Sequence, residues 1–593
     1  MTIHDNELVG LFLAPGYNFV IALLGVLKAG KGFVPIDTSM PPGRIDFILR
    51  ECNISTVLVD EENLKLLDEL NGIEKIILMK RNQQDILPNF CSLESKRGKA
   101  LSTNPIREKN ISSIAYVIYT SGTTGTPKGV PISHSNIYPL MMWQKDNFGL
   151  GESTKTLQML SLSFDFGIQE VLTTILFGGT LFFAERVVKH SASKYSEFIN
   201  THKISMIYST PALLDSLVSD NAMLTINIIL IGGQILDKSL VKRLFNVTSE
   251  SCIIFNGYGP TEVSINATMY HMNRGQEDAY PQTNSIPIGS ISANNTAYIL
   301  DNALNIMPIG VVGELYLGGV GVSTGYINRP ELNKEKFIAD KFSSFKGRNL
   351  YKTGDLARYI GDGNIEFIGR VDEQIKIRGY RVEPGEIESS ILKYDGVKDA
   401  AVTLKGNNGK IELIGYIVTY NDKEISTEGL QNFLRTILPS YMIPRRFIKL
   451  EALPLSVNGK VDYRKLPLLQ EERSHISKDE KINIYEAAII RAWEDVLIVK
   501  GLSVNDNFFE LGGHSLIVGK VHASIVQDIG YDFPLINIFE YPTARLLSKS
   551  ILMSDLRRED QFKQQDRAAK QKGNLYERFQ QRQKLRRENN NDK

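Results

Sequence analysis

Cysteine is scarce: the 593 residues contain three, Cys52, Cys91 and Cys252. They lie far apart and lack metal-ligand spacing, so neither a disulfide framework nor a zinc site is indicated, and they read as reduced thiols, buried or inert, in a cytosolic protein. Excess charge is lacking too. The 68 Lys and Arg balance 67 Asp and Glu to a net +1, which argues against a dominant nucleic-acid or membrane surface. The longest apolar patches, such as Phe19 to Leu27, are too short and interrupted to span a bilayer. Met1 to Leu8 is polar without a basic flank, so no signal peptide is read, and no internal repeat is visible. What is present is length for several domains and 42% hydrophobic residues, ample for large cores.

The most informative stretch is Tyr119 to Val130, YTSGTTGTPKGV, preceded by the strand-like run Ile114 to Ile118. Gly122, Gly125 and Gly129 let the backbone approach a ligand so that amides can point at phosphate oxygens. Thr120, Ser121, Thr123 and Thr124 add hydroxyls, and Lys128 adds a compact positive charge for a leaving pyrophosphate. A Walker A loop requires Gly-Lys followed by Ser or Thr and a helix. Here Pro127 and Gly129 flank Lys128, and Val130 to Ile132 looks extended, with Ser133 or Ser135 as the cap of a following helix. A solvated Ser/Thr/Gly linker is the plainer alternative, but linkers do not follow buried strands.

The stretch resembles the phosphate loop of adenylate-forming enzymes: the adenylation domains of non-ribosomal peptide synthetases, acyl-CoA synthetases and luciferases. Leu27 to Asp37, LKAGKGFVPID, resembles the second core motif of peptide-synthetase adenylation domains, between strands at Val9 to Leu13 and Phe33 to Ile36 that flank a helix ending at Gly30. Such domains carry an earlier core motif, so this one is expected to be N-terminally incomplete. In SFDFGIQE the resemblance assigns Asp165 to the α-ammonium of an amino acid, whereas the residues alone suggest a helix cap or turn. In NGYGPTE, plain turn chemistry predicts a tight loop. The resemblance places Asn256, Gly257 and Tyr258 at the nucleotide, with Tyr258 stacked on adenine, Thr261 near the α-phosphate and Glu262 on Mg²⁺, a cation that takes oxygen ligands. It further implies Asp355 of YKTGDLARY on the ribose diol, Arg370 beside it, Asp372 as the hinge, and Lys460, at a Val457-Asn458-Gly459 turn, bridging the reacting carboxylate and α-phosphate.

Beyond the polar stretch after Leu468, Ile482, Tyr485, Ile489, Trp493 and Val496 recur at helical spacing and start a second small core. DNFFELGGHSL, Asp506 to Leu516, resembles the attachment site of peptidyl carrier domains, with Ser515 the serine that bears 4'-phosphopantetheine. A Ser515–His514 catalytic pair is disfavoured, because adjacent helical side chains do not face each other and no Gly-x-Ser-x-Gly elbow is present. The tail after Leu552 is basic and poor in apolar residues, so disorder is the default, with a docking segment as the alternative.

The expected fold class is α/β: a layered adenylate-forming large subdomain (1–370, N-terminus incomplete), a small α+β C-terminal subdomain (371–467), a linker (468–480), an all-α four-helix carrier domain (481–552) and a basic tail (553–593). The resemblance implies an amino acid adenylating ligase that uses ATP and Mg²⁺ and passes its product to phosphopantetheine. Its expected partners are a phosphopantetheinyl transferase and condensation or thioesterase domains in trans, without nucleic acid or membrane, in the cytoplasm. Substrate-pocket positions carried over are Asp165, Phe166, Gln169, Tyr208, Leu230, Gly232, Gly257, Ile265, Asn266 and Lys460. With Asp165 and Lys460 assigned to the substrate's own charges, the remaining eight are uncharged, which predicts a neutral, mid-sized side chain. The alternatives are an acyl- or aryl-acid CoA ligase, or a carrier module without catalysis.

Overall fold

The computed structural model describes residues 8–70, 72–79, 90–92, 111–122, 125–185, 188–218, 223–276, 285–372, 374–377, 380–407, 410–420, 423–455, 461–467, 482–497, 499, 501–506, 508, 511 and 515–552. The chain divides into two compact units, Met1–Leu468 and Leu469–Lys593.

The first unit is built on two seven-stranded sheets. In one, Leu8–Phe12, Gly32–Pro35 and Ile114–Thr120 lie side by side in parallel, and Lys128–Ser133 returns antiparallel to Ile114–Thr120. Both faces of these strands are covered, which is why Ile114 to Ile118 reads as an unbroken apolar run, all of it buried. The helix Tyr17–Lys28 supplies the crossover and stops at Gly30, whose φ of 72° suits glycine. In the second sheet, Lys155–Gln158, Met206–Ser209, Ile228–Gly232 and Ile253–Tyr258 are parallel. A third, antiparallel sheet contains Asn295–Leu300, Gly313–Gly319, Phe337–Ala339, Asn349–Tyr359 and Ile365–Arg370.

After Arg370 the chain forms the hairpin Ile375–Ile377/Tyr380–Val382, then the helix Pro384–Ile391 and a sheet of Val397–Asn407, Lys410–Thr419 and Arg446–Lys449. The second unit contains the helices Ile484–Leu497, Ser515–Ile529 and Asn537–Glu540 and a fourth over 544–552, closing on Trp493, Phe508, Val521 and Ile525. An α/β large part, an α+β small part and an all-helical carrier are therefore the observed classes.

Two local expectations need correction. Asn256, Gly257 and Tyr258 lie on the strand Ile253–Tyr258, so the tight loop starts only at Gly259. Ile482 precedes the first carrier helix and is 52% exposed, because the helix begins at Ile484 and the apolar stripe seated in the core starts at Tyr485.

Candidate functional site

The phosphate loop joins two antiparallel strands, with Thr120 opposite Lys128. A Cβ on Gly122 would lie 2.0 Å from the Thr126 carbonyl oxygen, so only glycine permits this path. Thr120 Oγ1 is buried without a partner, the condition of a donor awaiting an anion, and the loop thus fits a nucleotide phosphate. Thr123 and Thr124 lie outside the described residues.

Lys128 Nζ sits 3.7 Å from Glu262 and 4.7 Å from the Tyr326 ring centre. Burial, reinforced by the nearby Arg381 charge, lowers its pKa to about 8. Glu262 has no exposed side-chain surface. Burial alone would raise its pKa, but Arg381 and Lys128 outweigh burial and bring it to about 2. Arg381 Nη1 donates to both Glu262 oxygens, at 3.0 and 2.8 Å, and Tyr326 donates its hydroxyl to Oε1 at 2.6 Å. Glu262 is the hard-oxygen donor that would suit Mg²⁺, and in this arrangement its oxygens are engaged by Arg381 and Tyr326.

At the nucleoside end, the Tyr258 hydroxyl and Arg370 Nη1 donate to opposite oxygens of Asp355. Arg370 also grips Asp372 with two bonds, at 2.5 and 2.8 Å. Partial burial works against ionisation of Asp372, but this guanidinium holds its carboxyl below the ordinary range. Asn256 Nδ2 is engaged by the Pro287 carbonyl at 2.8 Å. Lys376 of the hairpin reaches over the Tyr258 ring, 5.9 Å from its centre, and faces Asp355 and Asp165.

Asp165 is the first residue of the helix Asp165–Ile175, whose N-cap is Phe164 and has no side-chain cap bond, so the cap expected from the residues alone does not form. Asp165 Oδ1 accepts from the Phe166 amide at 2.7 Å, and Thr261 hydrogen-bonds the carboxyl as well. Burial pushes the carboxyl up, and among the described residues it makes no direct ion pair. Behind it, the rings of Phe166 and Tyr208 meet edge-on at 5.7 Å, and Tyr208 shares its hydroxyl with Thr173 at 2.6 Å. Asn266 donates to Gln169 Oε1 at 2.9 Å, leaving Gln169 Nε2 buried without a partner. Gly232 and Gly257 pair across adjacent strands, and the Leu230 side chain lies 3.4 Å from where a Gly257 Cβ would be. Ile265 adopts φ 76°, uncommon for a β-branched residue, and follows Ser264 at 57°. The Ser264 hydroxyl holds this kink by donating to the Gly321 carbonyl at 2.7 Å.

Lys460 lies outside the described residues; Ser515 begins its helix, but its side chain is not described. The residues sequence reasoning missed are Arg381, Lys376, Tyr326 and Glu386. The first two and Glu386 stand in or beside the stretch Gly369 to Glu388 read as a hinge, where their alternating charges were the available signal.

Residues 2–327 match the AMP-binding enzyme family, 386–460 the AMP-binding enzyme C-terminal domain and 487–551 the phosphopantetheine attachment site. Among curated relatives, tyrocidine synthase 3 of Brevibacillus parabrevis is 36% identical over 548 residues, 91% of this chain and 8% of that one. Bacitracin synthase 1 of Bacillus licheniformis is 36% identical over 550 residues, 92% of this chain and 10% of its own length. The chain thus spans a tenth or less of these relatives. Among solved structures, holo-PA1221, described as a non-ribosomal peptide synthetase protein with adenylation and carrier domains, aligns at TM-score 0.72 and 22% identity, over 92% of this chain and 88% of that one, a likeness of fold.

Proposed function

The chain belongs to the AMP-binding enzyme family and consists of an adenylation domain followed by a phosphopantetheine-bearing carrier domain, and from that premise we propose that it activates a neutral amino acid and loads it onto its own carrier. Domains of these two families use ATP with Mg²⁺ and carry 4'-phosphopantetheine, respectively.

The observation that supports the amino acid reading is Asp165, a buried carboxylate that among the described residues makes no direct ion pair, Lys376 facing it only at longer range. Such a group calls for a ligand that brings the cation, and an α-ammonium does so. A fatty or aryl acid brings none, which, with the fused carrier domain, disfavours a CoA ligase.

In the first half-reaction, the amino acid carboxylate attacks the α-phosphorus of ATP and expels pyrophosphate. Asp165 holds the ammonium, the Gly122 loop and Lys128 hold phosphate, and Asp355 with Arg370 orients the ribose. Lys460 bridges the reacting carboxylate and the α-phosphate, offsetting charge as it develops, while Glu262 is the residue that would hold Mg²⁺. Rate enhancement comes from positioning and electrostatics rather than from a protein nucleophile. Ser515 is the residue that would bear phosphopantetheine, whose thiol would take the aminoacyl group in the second half-reaction, with AMP as the leaving group. A phosphopantetheinyl transferase, further synthetase modules and a cytoplasmic setting complete the proposal.

ATP–pyrophosphate exchange across an amino acid panel tests it. Exchange driven by a neutral amino acid supports the reading; exchange driven best by Asp, Glu, Lys or Arg overturns the neutral pocket, and none at all overturns the activity. A mass increase on Ser515 after treatment with coenzyme A and a phosphopantetheinyl transferase tests the carrier separately.

A further inference from the structure

Among the described strands, Lys128–Ser133, which begins with the lysine of the phosphate loop, lies at the edge of the first sheet. On its open side the carbonyls of Pro127, Gly129 and Pro131, every second residue, are taken by one later segment. Arg329 Nη2 donates to Pro127 at 3.3 Å, the Ile327 amide to Gly129 at 3.0 Å and the Ser323 hydroxyl to Pro131 at 2.7 Å. Tyr326, in the same segment, sets its ring against the Lys128 ammonium. The segment thus covers an edge that would otherwise be open to pairing.

Arg329 does more than cover an edge. Its Nη1 pairs at 2.7 Å with Oε1 of Glu51, the last residue of the helix Pro42–Glu51. The other Glu51 oxygen accepts the Tyr119 hydroxyl at 2.9 Å. Tyr119 stands where the chain enters the phosphate loop, opposite Gly129, and Pro127 stands where it leaves. One carboxylate therefore holds both feet of the loop, directly at Tyr119 and through Arg329 at Pro127. This is not a loose surface pair, because the Glu51 side chain is only 7% exposed. Burial raises the Glu51 pKa, against the pull of the Tyr119 and Arg329 bonds.

We propose that Glu51 and Arg329 are positioning residues for adenylation, a clasp across the base of the phosphate loop that fixes the spacing of its two feet and so aims its amides and Lys128 at the phosphates. The inference rests on the nucleotide reading of the loop. Both residues act through the loop rather than on the nucleotide, since the Arg329 guanidinium is committed to a carboxylate and a carbonyl. Opening the clasp therefore weakens the hold on ATP. The amino acid side stands on other elements, the helix Asp165–Ile175 and the strand Met206–Ser209, and is left as it was.

Pyrophosphate exchange on the full chain, with ATP and amino acid varied in turn, tests this together with equilibrium binding of α,β-methylene-ATP and Mg²⁺. Arg329→Met is expected to raise the KM for ATP about 10-fold and to weaken analogue binding by a similar factor, with the KM for the amino acid unchanged. Glu51→Gln should do the same, and the double variant should be no worse than either single one, because each change opens the same clasp. Arg329→Lys, which keeps a cation on Glu51, is expected to recover most of the loss. A merely structural role would lower kcat through the active fraction and leave both KM values in place. That result, or losses from the two single variants that add, overturns the clasp alone. Should those variants not fold, Tyr119→Phe keeps the ring and removes only the hydroxyl; a KM for ATP about 3-fold higher supports the clasp, and no change overturns it. An unsubstituted chain that neither exchanges pyrophosphate nor binds the analogue overturns the nucleotide reading as well.

Discussion

The two ends of the cleft are made differently. Around Glu262 the site is ionic and drawn from both subdomains, with Arg381 119 positions away in sequence. Around Phe166 and Tyr208 it is neutral and drawn from the large subdomain alone, held by hydrogen bonds among Gln169, Asn266 and Thr173. The contrast is that the ionic end depends on residues of both subdomains, whereas the proposed amino acid pocket is held within one. An enzyme that uses one cleft for two reactions needs the exchangeable part where phosphate departs and the constant part where the acyl group stays.

Glu262→Gln should break this contrast most severely. It leaves the buried Arg381 with half its partner charge, and a loss of about 3–5 kcal/mol in stability is expected by denaturant titration. Pyrophosphate exchange should fall by about two orders of magnitude or more. Asp165→Asn strikes the constant end: exchange with the preferred amino acid is expected to drop about 100-fold, chiefly through KM, with little change in denaturation midpoint, because Asp165 makes no direct ion pair among the described residues and Lys376, which faces it, faces Asp355 as well.

A third test concerns the wall behind the pocket, where Glu170 accepts the Met159 amide at 3.0 Å and Lys189 reaches Gln158 at 3.1 Å. Burial raises the Glu170 pKa above its ordinary 4.5. The folded chain therefore retains a proton that the unfolded chain releases, and this group's stabilisation is full below 4.5 and drains as pH rises through the raised value. Glu170→Gln should flatten the decline of stability with pH over that window, measured as Tm against pH. The smallest effect is expected from Tyr208→Phe, which removes one hydroxyl from Thr173 while that threonine keeps its bond to the Gln169 carbonyl. A cost of about 1 kcal/mol by denaturant titration sharpens the view of a pocket held by redundant bonds.

Local chemistry made much of this legible. Ser133, with Asn136 completing the reciprocal cap, starts the helix His134–Phe148, and the candidates Ser133 and Ser135 were separated only by this geometry. Gly30 marked a helix stop through its φ. The apolar run before the phosphate loop announced a covered strand, although the strand continues through Tyr119 and Thr120 because the returning strand pairs with them. What stayed hidden was pairing across distance. Nothing near Arg381 in the chain points to Glu262, nothing near Glu386 points to Gly122, and charges alternating along Gly369 to Glu388 describe a solvated edge as well as they describe a docked hairpin.

Where Gly232 and Gly257 lie abreast, the floor of the proposed amino acid pocket is bare peptide. Side-chain exchange at those two positions can therefore shorten the pocket but never lengthen it. The two steps are unequal: a methyl on Gly232 would stand 3.0 Å from a carbonyl oxygen, whereas one on Gly257 would stand 2.7 Å from the Asn266 amide oxygen and push that side chain aside. Re-tailoring toward smaller monomers is thus accessible in single steps at the base, and accommodating larger ones has to come from trimming Phe166 or Tyr208 on the walls.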